Sequence, residues 1–131
     1  METELSQRLA RALWRCALNG QVLPYQRFHA LFEKGAPLTQ RYDTLESAVK
    51  ALGDVSDLDY GVLMTLDNGL PGAEFFQRYL RHRHGEYVMQ MGDPKYHRQT
   101  LVRKRALVAR ERDRVYAHAR MVEEERAKQA A

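Results

Sequence analysis

The chain has 131 residues, of which 44% are hydrophobic and 29% are charged, so it can bury one hydrophobic core and is not disordered as a whole. It contains no apolar run of the roughly 18 residues that cross a membrane, and its first ten residues do not resemble a signal peptide. A single cysteine, Cys16, excludes an internal disulfide and a cysteine-based zinc finger. These properties predict one cytoplasmic domain with no membrane partner.

Charge is distributed unevenly along the chain. Residues 1–94 contain 10 Lys and Arg against 12 Asp and Glu, whereas residues 95–131 contain 11 against 5. Arginine supplies 16 of the 21 basic residues, and its planar guanidinium suits phosphate and carboxylate groups. We therefore expect the C-terminal part to bind nucleic acid or an acidic protein, although a long helix also carries such charges as an ordinary solvated face.

Apolar residues at helical spacing predict three helices in the first part of the chain. The first ends at Asn19-Gly20, because glycine suits the left-handed residue that follows a helix. The second begins with Pro24 as its first helical residue and ends at Gly35. The third begins at either Thr39 or Asp43, and the second choice would form a capping box with the glutamate three residues on.

The apolar run Tyr60–Leu66 has the composition of a strand, and Asp67-Asn68-Gly69 is a strong turn signal. With a return segment after that turn, the pattern predicts a small β-hairpin. Aromatic residues from Phe75 then recur at helical spacing, and Tyr87–Met91 is either a second short strand or a helical turn. Three helices followed by a hairpin predict a mainly α, winged-helix-like domain over residues 1–94.

In a winged helix, the third helix enters the major groove of DNA. The polar start of the predicted third helix offers the donors and acceptors that base edges require, from Thr39, Gln40, Arg41 and Thr44. The nearby acidic residues, including Asp43 and Glu46, would repel phosphates. Three helices and a hairpin also occur as plain structure, so both interpretations stay open.

One segment carries a family resemblance. Val62-Leu-Met-Thr-Leu66, Asn68-Gly-Leu-Pro-Gly72 and Phe75-Phe76 resemble a segment of small uncharacterised bacterial and mobile-element proteins. The resemblance covers about residues 20–80. It implies a helix-turn-helix-like N-terminal part, a hydrophobic strand, a turn and an aromatic helix start, and it implies no activity or catalytic residues.

From Lys95 to about Lys128 the sequence contains no glycine or proline, which predicts one helix of roughly 50 Å. Apolar residues recur every seven positions from Leu101 to Val122, but the complementary heptad position is polar, so only half of a coiled-coil seam is present. We expect the first turns of this helix to pack on residues 1–94. A homodimer through residues 101–122 is the other way to cover the apolar face.

Basic side chains form the predicted binding surface for either class of partner. They come from the aromatic helix and from one face of the last helix, and comprise Arg78, Arg81, Arg83, Arg103, Arg110 and Arg114. Arg105 and Arg112 fall on the apolar side of the last helix, where we expect them to affect stability more than binding.

No residue pattern indicates catalysis, a metal or a cofactor. His82 and His84 lie among arginines at a predicted helix end, where capping and solvation explain them better than metal binding. Cys16 lies on the apolar stripe of the first helix and is expected to be structural. The sequence thus predicts a non-enzymatic nucleic-acid-binding or regulatory protein. The alternative is an adaptor or inhibitor, of the kind that mobile elements encode, that docks its Arg-rich helix on an acidic partner.

Overall fold

The computed structural model describes residues 3–130 and is mainly helical over that range, which confirms the predicted mainly α class. None of the helices in the described part of the chain is both long and apolar enough to cross a membrane. The elements are, in order, α1 (Glu4–Leu18), β1 (Leu23–Pro24), α2 (Tyr25–His29), α3 (Leu38–Leu52), a 3-10 turn (Tyr60–Leu63), β2 (Met64–Thr65), α4 (Ala73–His82), α5 (His84–Met91) and α6 (Leu101–Ala130).

Local side-chain chemistry sets both ends of α1. Thr3 Oγ1 accepts a hydrogen bond from Ser6 N at 3.1 Å, and Ser6 Oγ accepts one from Thr3 N at 2.8 Å, which together form a capping box. At the other end, Gly20 has φ 63°, and the N–H of Gln21 donates to Cys16 O at 2.9 Å. This is a Schellman motif, and the predicted end of the helix at Asn19-Gly20 is confirmed.

Prolines precede the next two helices. Pro24 is the N-cap residue of α2, whereas we predicted it to be the first helical residue. The predicted end at Gly35 is wrong, because α2 is only five residues long and ends at His29. Pro37 precedes α3, and its carbonyl accepts a hydrogen bond from Arg41 N at 3.2 Å. Because this bond already starts the helix at Leu38, the start near Thr39 is close to the structure. The start at Asp43 is wrong, since Asp43 lies inside α3.

The predicted β-hairpin does not form. Residues Tyr60–Leu63 form a 3-10 turn, and the two residues of β2 pair in parallel with β1, with Leu23 opposite Met64 and Pro24 opposite Thr65. Tyr60 and its neighbours up to Met64 are buried on all sides. An apolar run of this kind reflects full burial, which periodicity alone cannot distinguish from a strand.

The turn after β2 is present, but no strand returns from it within residues 3–130. Gly69 has φ 84°, and its N–H donates to Leu66 O at 3.0 Å. Beyond the turn, Pro71 has no N–H to contribute to a ladder. The N–H of Gly72 donates to Tyr25 Oη at 2.7 Å, and α4 begins directly afterwards.

A sharp break at Arg83 (φ −135°, ψ 51°) separates α4 from α5. The run Tyr87–Met91 is therefore helical, which is the second of the two alternatives that the sequence left open. α6 begins at Leu101 and not near Lys95, because Asp93 O accepts hydrogen bonds from Tyr96 N at 3.0 Å and His97 N at 2.8 Å and so closes turns before the helix.

α6 packs on its own chain through its middle. Residues Leu107, Val108, Glu111, Val115 and Ala119 are buried, against α1, α5 and the 3-10 turn. Of the first turns that we expected to pack, the second does so through Leu107 and Val108, whereas Leu101 at the start is 53% exposed. The centre of the apolar face is thus covered without a second chain, and a homodimer through residues 101–122 stays a prediction that concerns the ends of that range.

Candidate functional site

Arg78, predicted to lie on the binding surface, is inside the fold. Its side chain is 1% exposed, and it donates from Nε to Asp59 Oδ2 at 2.7 Å and from Nη2 to Asp59 Oδ1 at 2.9 Å. Burial alone would lower the pKa of Arg78, but Asp59 and Glu46 outweigh it and raise the pKa. The guanidinium lies where a side chain on Gly61 would stand, so this arginine is structural.

Arg83 is a second buried arginine and the second correction to the predicted surface. It donates from Nη1 to Glu111 Oε2 at 2.6 Å and from Nε to Glu86 Oε2 at 3.0 Å, with its side chain 1% exposed. Its guanidinium also lies 4.1 Å from the ring centre of Tyr79. Burial alone would lower the pKa of Arg83, but the hydrogen-bonded carboxylates of Glu111 and Glu86 outweigh it and raise the pKa.

These groups join into what we call the buried charge network: Asp59, Arg78, Arg83 and Glu111 are buried, and Glu86, with its side chain 52% exposed, lies at the edge. The link is Glu111 Oε2, which accepts from Arg83 and also from the backbone N–H of Asp59 at 2.9 Å. The network therefore connects the 3-10 turn, α4, the start of α5 and the middle of α6. Both arginines were assigned to the surface because a charge run on a helix gives no sign of which members find buried acids.

At the start of α3, some of the predicted base-reading side chains are exposed and others are hydrogen-bonded within the fold. Thr39 and Gln40 are exposed and line a shallow groove of about 530 Å³ with Asp43. Arg41 instead donates to the carbonyls of Ala36 at 3.0 Å and Glu33 at 3.1 Å, and so closes the turn before α3.

Thr44 Oγ1 donates to the carbonyl of Gln40 at 2.9 Å, within α3 itself. Of the four predicted base-reading residues, two are therefore exposed and two are engaged in the local fold.

The predicted arginine face of α6 is exposed, but each member has an intramolecular partner. Arg103 donates to Met91 O at 3.3 Å and Arg110 to Gln90 Oε1 at 3.3 Å, so both reach across to α5. Arg114 donates to Glu111 Oε1 at 3.2 Å. Arg103 and Arg110 each use only part of the donor capacity of a guanidinium, whereas Arg114 belongs to the edge of the buried charge network.

The other arginines singled out from the sequence differ in how far they are buried. Arg81 is 61% exposed and lies 3.3 Å from Glu46. Arg112 donates to the carbonyls of Val62 at 2.9 Å and Met64 at 3.2 Å, and burial lowers its pKa. Arg112 is thus structural, as predicted. Arg105, predicted to share that role, is exposed.

One group of exposed cations was not recognised as a unit from the sequence. It lies just before α6 and along its first turns, and we call it the basic surface: Lys95, Arg98, Arg103, Lys104, Arg105 and Arg110. All of these except the half-buried Lys104 are exposed. From residue 94 to residue 110 the sequence has no carboxylate, which was the available signal. Tyr96, which lies between Lys95 and Arg98 in the sequence, is 80% exposed.

The segment that carries Tyr96 is held by hydrogen bonds. Lys95 N donates to Asp93 Oδ1 at 3.0 Å, and Gln99 Nε2 donates to His97 O at 3.0 Å. Tyr87 Oη donates to Gln99 Oε1 at 2.5 Å, which ties the segment to α5. The segment therefore presents its side chains from a defined backbone.

Other chemistry finds little support in the described residues. No group of three or more His, Cys, Asp and Glu between residues 3 and 130 could hold a metal ion. Cys16 is half-buried, and burial raises the pKa of its thiol, which disfavours the reactive thiolate. No protein family matches the sequence, and neither curated proteins nor solved structures provide a match.

Proposed function

We propose that this protein is a non-enzymatic nucleic-acid-binding protein and that the basic surface of α6 is its binding site. The observation that carries the proposal is the charge of residues 94–110, which hold six Lys and Arg and no Asp or Glu. Phosphate contacts by Lys and Arg supply most of the sequence-independent affinity for nucleic acid. A run of cations along a helix, with no carboxylate between them in the sequence, is the electrostatic footprint expected of such a protein.

The fold supports this role by fixing the helix that carries the surface. Glu111 lies just beyond the last cation of the surface and anchors α6 through Arg83 at 2.6 Å. Arg103 and Arg110 are steadied by their bonds to α5, while both side chains remain exposed. Cations held in place lose less freedom on binding than cations on a mobile tail.

An acidic protein is the second candidate partner. Met89 is 88% exposed and Val102 is 76% exposed, and Met89 lines the same cleft as Arg110. Apolar side chains beside arginines are typical of protein interfaces, whereas phosphates would leave these side chains unused. In this alternative the protein acts as an adaptor or inhibitor.

The proposal extends to α3 only through Thr39 and Gln40. A winged helix would add contacts from its hairpin, and that hairpin does not form within residues 3–130. What remains of the predicted arrangement is a helix-turn-helix-like role for α2 and α3. In this role Gln40 would contact a base edge, so Gln40→Ala would weaken binding to a specific site more than binding to random DNA.

The proposal is tested by measuring affinity for random duplex and single-stranded DNA by fluorescence anisotropy over a range of salt concentrations. We expect a steep linear fall of log affinity with log salt. The triple variant Arg103→Glu, Arg105→Glu, Arg110→Glu should reduce that slope by at least about two, since each lost phosphate contact removes about one and Arg103 and Arg110 share one face of α6.

A matched control separates the basic surface from net charge. Arg8→Glu, Arg15→Glu, Arg27→Glu changes the same number of exposed arginines on α1 and α2 and should leave most of the slope intact. Equal losses in both triple variants would contradict a defined site. No binding by the unmodified protein at low salt would refute the nucleic-acid proposal and favour the acidic protein.

A further inference from the structure

One exposed aromatic side chain lies between the first two cations of the basic surface in the sequence, and the fold does not use it. Tyr96 is 80% exposed, whereas every other Phe, Trp and Tyr in residues 3–130 is buried or half-buried. No hydrogen bond of the Tyr96 hydroxyl is present among these residues. A large ring left in water contributes little to folding and is available to a partner, and tyrosine is enriched at binding interfaces.

The charges around Tyr96 indicate what the ring would contact. Lys95 and Arg98 lie on either side of it in the chain and are both exposed. The carboxylate of Asp93 accepts a hydrogen bond from Lys95 N at 3.0 Å, and from residue 94 to residue 110 all six charged side chains are cationic, so the balance of charge along the segment favours an anionic partner. Aromatic rings beside backbone-tracking cations form the stacking sites of proteins that bind single strands.

The backbone beneath Tyr96 is fixed, which favours a specific contact. Tyr96 N donates to Asp93 O at 3.0 Å, and Gln99 holds the following residues through His97 O at 3.0 Å. A Cβ added to Gly92 would meet His97 Cβ at 2.7 Å, so the two ends of the segment are in close contact. Little backbone entropy would therefore be lost when the ring meets a ligand.

We infer that Tyr96 stacks on an unpaired nucleobase, so that the basic surface binds single-stranded nucleic acid in preference to duplex. A paired base inside a duplex hides both its faces in the stack, whereas an unpaired base offers one to the ring. Lys95 and Arg98 contact the adjoining phosphates. This inference rests on the proposed function and adds the strand type that the same surface selects.

The experiment compares the full chain with Tyr96→Ala and Tyr96→Phe on three labelled 20-nucleotide probes of mixed sequence: single-stranded DNA, single-stranded RNA and duplex DNA. Tyr96→Ala should weaken binding to at least one of the single strands by about 5- to 150-fold, the loss typical of one stacked base. Duplex binding should change less than twofold. Tyr96→Phe should retain affinity, because the ring and not the hydroxyl makes the contact.

A spectroscopic readout excludes a merely structural role. In Tyr96→Trp, the new indole should be quenched when the single strand binds, beyond any change in the emission of Trp14 measured in the unmodified protein. All variants should melt at the same temperature, because the side chain is exposed. The two single-strand probes also show whether the base comes from DNA, RNA or both.

Two results would overturn the inference while leaving the proposed function intact. One is unchanged single-strand affinity in Tyr96→Ala, combined with lost binding in the Arg103, Arg105 and Arg110 triple variant. The other is an equal loss on single strands and duplex. If the unmodified protein binds none of the three probes at low salt, the inference and the proposed function both fail.

Discussion

Glu111→Gln tests whether the buried charge network holds α6 in place. The substitution keeps the shape of the side chain but removes the negative charge facing Arg83, which is 1% exposed at the side chain. Breaking a buried ion pair by neutralising one partner costs about 3–5 kcal/mol. Arg83 keeps its bonds to Glu86 at 2.6 and 3.0 Å, so we expect a value near the lower end, about 3 kcal/mol.

The assay is urea unfolding followed by circular dichroism, with the slope of free energy against urea used to check two-state behaviour. A loss of about 3 kcal/mol is a large part of the about 5–15 kcal/mol that stabilises a typical domain. Glu124→Gln, on the exposed end of α6, is the control and should stay within about 0.5 kcal/mol of the unmodified protein.

A double variant distinguishes lost pairing from lost packing. Arg83→Met combined with Glu111→Leu removes both charges, and apolar replacement of a whole buried pair is often close to neutral. The loss of stability in the double variant should therefore be smaller than the sum of the losses measured in Arg83→Met and in Glu111→Leu alone. Additive losses, or a loss below about 0.5 kcal/mol in Glu111→Gln, would refute the reasoning.

The remaining predictions concern other parts of the same core. Gly61→Ala should destabilise the fold by about 1–3 kcal/mol in urea unfolding, because the new Cβ would meet the buried guanidinium of Arg78. Glu86 pairs with Arg83, which lowers the pKa of Glu86 below its ordinary 4.5. The stabilising effect of that pair is thus present above pH 4.5 and is lost as pH falls below it, and Glu86→Gln should flatten stability curves there. Burial raises the pKa of Tyr60 from 10.0 to about 12, so its neutral form stabilises the fold below pH 10 and this effect is lost between pH 10 and 12. Tyr60→Phe should reduce the alkaline loss of melting temperature over that interval.

Features that depend on local sequence could be predicted. The end of α1 followed from Gly20, whose left-handed backbone (φ 63°) a helix end requires. The turn at Gly69 could be predicted for the same reason, because its backbone (φ 84°) also lies in the region that favours glycine. The mainly α class followed from apolar spacing, since that spacing depends on the period of the helix alone.

Features that depend on distant partners could not be predicted. Arg78 is buried because it pairs with Asp59, and Arg83 is buried because it pairs with Glu111, which lies 28 positions away in the chain. Nothing in the neighbouring sequence separates these two arginines from Arg81, which stays exposed. The absence of the predicted hairpin also reflects a distant partner, because Met64 pairs with Leu23, far back in the chain, and not with a strand that follows the turn.

Within the candidate site, the exposed members of the α6 face were found and the segment before it was not. Arg103 and Arg110 are exposed as the helical wheel indicated. Tyr96 was passed over because a long interval without glycine or proline favoured helix from Lys95 onward. The side chain of Asp93 and the turns that follow it override that tendency, since a hydrogen-bonded turn competes directly with the helix.

The late position of Glu111 in the chain has a consequence for biosynthesis. Asp59, Arg78 and Arg83 leave the ribosome before the carboxylate that compensates Arg83 and receives the N–H of Asp59. Until residue 111 emerges, desolvating Arg83 lacks its main compensation, so we expect Arg83 to remain hydrated while Arg78 can already pair with Asp59. We therefore expect the contact of α6 with α5 and the 3-10 turn to be the last part of the core to form during synthesis.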